Sequence, residues 1–456
     1  MLPAVKAADI IICGAGIMGI SAAYQLAVKR GQRNVLLVDP RPPLTLTSDK
    51  STECYRNWWP GPGDAMVRLM NHSINLIEEM ADESNNLFNL NRRGYLYVTT
   101  EDKGVEALRA SANEASKLGA GEVREHSVDS QSYQPHVVEG FGGVTGADLL
   151  TKGNLVSRYF PYLAENVTAA LHVRRAGWLS GQTYGMWMLE RAKAAGVSVV
   201  NGSVAAVETS GGKVSGVALE DGSRIDTSIF INAAGPYLAQ VGKLAGVDVP
   251  VVNELHLKAG FNDHLGVVDR AAPLLICADE QRLEWTAEER AMLMEDPQSA
   301  WLLETLPSGA HTRPEGDAAA QSILVLWDIH NQPVEARFPI TEDPLYAELA
   351  LRGLARILPK MRGYLEHMPR PTLDGGYYTK THENRPLAGP TPVPGAYVIG
   401  AASGYGIMAA AGLGELLAAH IVGDDLPDYA PMFELARYQD PVYQTLLQNW
   451  GDSWQL

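Results

Sequence analysis

Three features of the sequence predict an α/β fold. Two short apolar runs are joined by a glycine turn and a helix, an acid closes the second run, and the middle of the chain is rich in strands and hairpin turns. Together they predict a Rossmann-like doubly wound parallel sheet. Interleaved with it is an α+β domain built on a mostly antiparallel sheet.

The first unit spans residues 9–39. Asp9–Cys13 is an apolar run of the kind buried on both faces of a parallel sheet. Gly14-Ala-Gly-Ile-Met-Gly19 follows directly, and residues 20–30 carry apolar positions at helical spacing up to Gly31. Asn34–Asp39 is a second buried strand, stopped by Pro40, Pro42 and Pro43, which completes a βαβ unit.

Farther along, the apolar residues Met66, Leu69, Met70, Ile74, Ile77 and Met80 predict an amphipathic helix over 64–84. Gly94–Thr99 reads as a strand and 101–120 as a helix. A helix from near Thr183 to Gly196 leads into a strand at Val197–Val200. Lys213–Leu219 and Ile225–Ile231 flank Asp221-Gly222, which predicts a hairpin delivering the chain to Asn232-Ala-Ala-Gly235. Ser322–Ile329 reads as a strand and 343–358 as a helix. Pro386–Gly414 carries no charge and is long enough to span a bilayer. Its prolines and glycines (Pro390, Pro392, Pro394, Gly400, Gly404, Gly406) would break a single helix, so a strand, a tight turn and a helix are expected over 395–422, with no membrane span.

Composition excludes several classes. With 46% hydrophobic and 20% charged residues, the 456-residue chain can form a sizeable core. A net charge of −16 argues against binding nucleic acid or anionic lipid. Cys13, Cys54 and Cys277 make no disulfide framework or metal spacing, the histidines are scattered, and no signal peptide is evident. A cytoplasmic protein without a metal site is expected.

Gly14-x-Gly16-x-x-Gly19 carries the mechanism. It follows a strand and opens a helix, and Asp39 lies about 20 residues on, at the end of the next strand. Gly14 permits the turn, Gly16 the approach of a pyrophosphate, and Gly19 the packing of helix on strand. The helix N-terminus offers N–H groups to the phosphates, and Asp39 can accept hydrogen bonds from a ribose diol. An acid there disfavours a 2′-phosphate. FAD and NAD both remain open on these residues.

Four further segments resemble the D-amino-acid-oxidase-type flavoproteins, in the branch of sarcosine oxidase, dimethylglycine dehydrogenase and glycine oxidase. They are Arg175–Gly185, Asp226–Pro236, Tyr378–Gly389 with Pro394–Gly400 and Gly404–Met408, and the closing Asp428-Tyr…Phe433…Arg437-Tyr. The resemblance spans residues 8–440. It implies non-covalent FAD, with adenosine near Asp39, Pro40, Arg41 and Val204. Ala15, Ile17 and Met18 would lie beside the fingerprint glycines, and Ala233, Ala234 and Gly235 in the turn after the hairpin. Ser48, Lys50, Ser51 and Thr52 would pass over the phosphates and ring. Gly404, Tyr405, Gly406, Ile407 and Met408 would approach the ring edge.

The implied reaction oxidises the C–N bond of an amine or N-methyl amino acid, by hydride transfer to flavin N5 and hydrolysis of the imine. Oxygen or an electron carrier would be the acceptor. Arg56 and Tyr378 align with active-site residues of that branch, and Trp58, Trp59, His256 and Met408 are expected around the substrate. Two positions that hold a substrate carboxylate in sarcosine oxidases are Trp59 and Met408 here. Another cation, such as Arg337 or Arg385, would then serve, or the substrate is a bulkier amine packed on Trp58, Trp59 and Tyr378. The branch's attachment cysteine is Gly376 here, and His72 reads as a plain helix residue. The expected domains are an FAD domain (1–85, 155–250, 370–440), a substrate domain (86–154, 251–369) and a tail (441–456). The alternatives are a flavin-binding scaffold without turnover and an NAD-linked dehydrogenase.

Overall fold

The computed structural model describes residues 6–127, 132–317, 319–448 and 450; most of the expected tail beyond 448 lies outside them. Two sheets organise the chain. The first has six strands in the order Leu387–Pro390, Ala396–Gly400, Ile229–Asn232, Ile10–Cys13, Val35–Asp39, Ser198–Asn201. The inner pairs are parallel and only the Leu387–Pro390 edge is antiparallel.

Alternation along these strands feeds two cores. Ile10, Ile12, Val35 and Leu37 enter a core with the helices Ile17–Tyr24, Ala65–Glu83, Gly181–Ala194 and Gly406–Val422. Ile11, Cys13, Leu36 and Val38 face the other way, onto a three-stranded antiparallel sheet (Val204–Ser210, Lys213–Leu219, Arg224–Asp226). This two-sided burial is why the strands read as unbroken apolar runs.

The second sheet has nine strands, in the order Thr372–Lys380, Val252–Asn262, Ser322–Leu326, His311–Pro314, Leu274–Cys277, Tyr95–Thr99, Ala169–Val173, Ala147–Leu150, Val123–His126. All pairs are antiparallel except two. Leu96, Leu257, Leu275, Ile323, Val325 and Trp327 face a separate core under the helix Tyr346–Leu354.

Three expectations are refined. The run Ile225–Ile231 is two strands: Arg224–Asp226 completes the hairpin, and Ile229–Asn232 leaves it to join the six-stranded sheet. The break falls at Thr227, whose hydroxyl bonds the carbonyls of Asp9 and Ile229. The helix expected over 343–358 is confined to Tyr346–Leu354. Domain limits at 155 and 370 cut the nine-stranded sheet, because Ala169–Val173 and Thr372–Lys380 both belong to it. Their pairing partners, Tyr95–Thr99 and Val252–Asn262, are distant in sequence, so local pattern carries no sign of the register.

The apolar helix Ser403–Val422 passes a length and composition test for crossing a membrane, and 72% of it is buried inside the protein. Small residues let it sit close to its neighbours. Ser21 Oγ donates to the Ala410 carbonyl and Ser73 Oγ to the Met408 carbonyl, both at 2.6 Å. This is the packing of a core helix.

The C-terminal segment is anchored by one buried carboxylate. Glu383 Oε1 accepts hydrogen bonds from Arg437 Nη2 at 2.9 Å, Tyr438 at 2.9 Å and Tyr443 at 3.0 Å. Burial works to raise its pKa, but the Arg437 guanidinium outweighs that and holds it below the usual range. Removing one partner of such a buried pair costs about 3–5 kcal/mol. Glu383→Gln is therefore expected to lower the melting temperature sharply at pH 7. Because the folded pKa is depressed, the wild-type advantage is full above the unfolded value of about 4.3 and shrinks as pH falls below it. A gap between the two proteins that stays constant from pH 7 to pH 3 would contradict this.

Candidate functional site

The parallel strands Ile10–Cys13, Val35–Asp39 and Ile229–Asn232 end side by side, which brings Gly14, Asp39 and Ala233 together. Gly14 has φ +113°, and a Cβ there would fall on the Ala233 carbonyl. Gly19 is pressed just as closely on the Gly14 carbonyl. Gly16 instead borders open space: a Cβ would meet only Ser48 Oγ, at 3.2 Å. Ser48 Oγ accepts the Ile17 N–H at 3.0 Å, at the start of the helix.

Asp39 does more than close a strand. Its carboxylate accepts the Ala15 N–H at 2.8 Å and the Arg41 N–H at 2.9 Å, tying the glycine turn to the following loop. A cleft of about 660 Å3 opens here, lined by Gly14, Gly16, Asp39, Pro40, Arg41 and Val204 among others. It continues, through the shared residues Gly16, Ser48, Ala233 and Gly235, into a narrower part of about 90 Å3. Ile17, Met18, Ser51, Tyr378, Gly404, Gly406 and Ile407 line that part. The cleft thus runs from an acid beside a glycine turn to a second glycine turn at a helix start. The groups along it suit FAD: the Gly16–Met18 helix end for the pyrophosphate, Asp39 for the ribose, and the Gly404–Ile407 turn for the ring. Ala234 lines the wide part, while Ala15 and Gly19 serve the turn from outside the lining.

A third, smaller cavity of about 50 Å3 adjoins the narrow part at Tyr378, Ser403 and Gly404. Thr52, Cys54, Arg56, Trp59, Tyr405 and Met408 line it, and so do Tyr95, His311 and Asp328. Arg56 is buried at 5% exposure, on the strand Cys54–Arg56 that pairs with Ala176–Trp178. Its Nε donates to the Trp58 carbonyl at 3.1 Å, and its guanidinium lies 4.5 Å from the Trp59 ring centroid and 5.7 Å from that of Tyr95. Among the described residues no carboxylate pairs with it within 4.0 Å. Its surroundings rule out a surface ion pair and leave a buried cation facing a cavity.

Tyr378 forms the wall between cleft and cavity. A Cβ on Gly404 would lie 2.5 Å from its ring, and on its other side it stacks on His256 with centroids 3.8 Å apart. Burial pushes its hydroxyl pKa well above the usual value. His256 is therefore behind the wall, not in the cavity. Its Nδ1 bonds Asp328 at 2.7 Å and its Nε2 bonds Glu254 at 3.3 Å. Burial opposes its charge, but Asp328 and Glu254 outweigh it and raise its pKa.

The other expected residues divide. Trp59 reaches the cavity and meets Tyr405 edge-on at 4.8 Å, whereas Trp58 is packed in the core. Lys50 pairs with Asp374 at 3.0 Å, and the Ser51 carbonyl accepts from Lys258 at 3.2 Å. The Thr52 carbonyl accepts two bonds from Arg313. Arg337 is exposed and paired with Glu335, and Arg385 bonds the Pro62 carbonyl and stacks on Trp450, so neither lines the cavity. Gly376 abuts Thr47 and Lys50, and His72 pairs with Glu415.

Asp328 and His311 are among the cavity residues that escaped the sequence reading. Asp328 ends the alternation in which Ile323, Val325 and Trp327 enter the core, so the opposite face of that strand carries Leu324, Leu326 and then an acid. His311 begins the neighbouring strand. Its Nδ1 bonds the Gly309 carbonyl at 2.7 Å, and burial pushes its pKa down. A lone acid closing an apolar alternation was the available signal; His311 offered none.

The family model for FAD dependent oxidoreductases (DAO) matches residues 9–258. No curated protein matches the chain. Among solved structures, L-proline dehydrogenase from P. horikoshii is similar at a TM-score of 0.72 and 18% identity, covering 95% of this chain and 98% of that one. Glycine oxidase from Geobacillus kaustophilus is similar at 0.71 and 16%, covering 94% and 99%. Iminodiacetate oxidase from Chelativorans sp. BNC1 is similar at 0.69 and 19%, covering 93% and 98%.

Two outcomes test the cleft. Asp39→Ala removes hydrogen bonds to a charged acceptor, worth about 1.5–3 kcal/mol each, and should weaken FAD binding about tenfold to a hundredfold in a titration of apoprotein. Acid precipitation should leave the yellow colour in the supernatant; colour in the pellet would mean a covalent bond.

Proposed function

Because the chain belongs to the DAO family of FAD-dependent oxidoreductases, we propose that it oxidises the C–N bond of a small amino acid or N-substituted amino acid. The observation that carries this is Arg56: a buried guanidinium without a carboxylate partner among the described residues, lining a cavity of about 50 Å3 beside the cofactor cleft. A carboxylate-bearing substrate would supply the missing anion. The small volume, walled by Trp59, Tyr405 and Met408, favours few non-hydrogen atoms. Similar solved structures include an L-proline dehydrogenase, a glycine oxidase and an iminodiacetate oxidase. A sarcosine-oxidase-like preference for small N-methyl amino acids goes with this reading.

When bound, FAD supplies the acceptor for a hydride from the carbon next to the substrate nitrogen. The chain's own residues prepare the substrate. The nitrogen must shed its proton before a C=N bond can form, and the imine released then hydrolyses. His311 suits that proton. Its Nδ1 faces a carbonyl, which can only accept, so Nδ1 carries the hydrogen and Nε2 keeps a lone pair. Burial keeps the ring neutral near pH 7. Tyr378 retains its own proton, and its ring lines both the cavity and the cleft. Oxygen or an electron carrier takes the electrons. A cytoplasmic, reducing location fits three buried, unpaired cysteines.

An anaerobic spectrum with an amine panel (sarcosine, dimethylglycine, glycine, proline, larger N-methyl and aromatic amines) tests the reading. Bleaching of the flavin bands by a small amino acid is expected, and readmitted air tells oxygen from a carrier. Bands that bleach with none of them would favour a scaffold. Arg56→Met should cut kcat/KM for the substrate at least about a hundredfold, near 2.7 kcal/mol, without lowering the melting temperature, since it removes an unpaired buried charge. The acid limb of kcat/KM should fall below about pH 6.5, the ordinary histidine value, because burial depresses the His311 pKa. That limb should vanish in His311→Asn.

A further inference from the structure

We infer that Asp328 receives the substrate's amino group, so that the cavity reads a zwitterion, with the carboxylate at Arg56 and the ammonium at Asp328. This rests on the C–N oxidation reading above and adds the residue that selects for the amine.

The placement follows from a chain of buried charges. Lys380 Nζ pairs with Glu254 Oε1 at 2.6 Å, Glu254 Oε2 meets His256 Nε2 at 3.3 Å, and His256 Nδ1 meets Asp328 Oδ1 at 2.7 Å. Sheet register brings them together. Glu254 lies opposite Tyr378 and His256 opposite Gly376 on paired antiparallel strands, so the acid, the imidazole and the tyrosine share one face. Tyr378 covers His256, the two rings stacked with centroids 3.8 Å apart.

Along this chain both oxygens of Glu254 and both nitrogens of His256 are engaged. Asp328 Oδ2 alone has no hydrogen-bond partner among the described residues, and Asp328 is the member that lines the cavity. Its side chain is 15% exposed. Lys380, Glu254, His256 and Asp328 amount to two cations and two anions, so the carboxylate is balanced from behind by the imidazolium and meets the cavity with one free oxygen. No ion pair within 4.0 Å joins Asp328 to Arg56, although both line the same cavity. An anion and a cation held apart across a small space match the two ends of an amino acid. Tyr378, kept protonated by burial, offers no competing charge.

The test uses two unreactive probes of one shape: 2-aminoisobutyrate, which has no hydrogen on its α-carbon, and pivalate, which replaces its ammonium by a methyl. Binding to the FAD-loaded protein is read from the shift of the flavin absorbance bands, so it does not depend on turnover. Wild type should favour 2-aminoisobutyrate by about tenfold to a hundredfold, the range for a hydrogen bond to a charged group. Asp328→Asn should erase that preference and leave pivalate affinity unchanged, and Asp328→Glu should restore part of it. Absence of a preference in wild type, or its survival in Asp328→Asn, overturns the inference. Should Asp328→Asn fail to fold, the comparison rests on wild type and Asp328→Glu. Failure of the oxidation reading would show separately, as a preference for the zwitterion in a protein whose flavin no amino acid bleaches.

Discussion

The site depends on the contact between the Tyr378 ring and the backbone of Gly404. It is where the nine-stranded sheet meets the turn into the C-terminal helix, and a single methyl on Gly404 would collide with the ring. Cleft and small cavity share Tyr378, Ser403 and Gly404 as their common wall. Whatever reacts in the cavity therefore does so across a partition set by one aromatic ring and one glycine. Glycine is required because the backbone must come within contact of a ring held from behind by His256.

Charge in this region follows two rules. The anions Glu254 and Asp328 and the cations His256 and Lys380 are strung together, which limits the cost of burying each. Arg56 is left out of that arrangement and is held by aromatic rings and a carbonyl instead. Ring faces stabilise a buried guanidinium of this kind only in part, which leaves it able to accept an anion. The same division recurs at the cofactor end. There both oxygens of Asp39 accept backbone N–H groups around the glycine turn while the residue also lines the cleft.

The βαβ unit was legible because its information is local. Strand, glycine turn, helix and terminal acid follow one another within 9–39, and Gly19 is crowded by Gly14 inside that unit, although the Ala233 carbonyl that crowds Gly14 comes from a strand far along the chain. The C-terminal strand, turn and helix were legible for the same reason. The domain limits were not, since strands at 169–173 and 372–380 join a sheet whose other members lie far away in sequence. Trp58 and Trp59, adjacent and alike, both pack in the core, and of the two only Trp59 also lines the cavity. Composition could not separate them, because adjacent side chains leave a chain in different directions.

Spacing and residue type within the sequence were enough for the α/β class and the glycine turn of the dinucleotide fingerprint, because each lies within a short motif whose geometry the backbone enforces; Arg56 and Tyr378 were reached only through the resemblance to the flavoprotein family. The partners of those residues came only with the folded chain. Among the described residues, His256 behind Tyr378, the free oxygen of Asp328, the neutral imidazole of His311 and the unpaired guanidinium of Arg56 are products of how strands pair and pack. Burial then sets their charge states, and burial is a property of the packed molecule rather than of any segment of it.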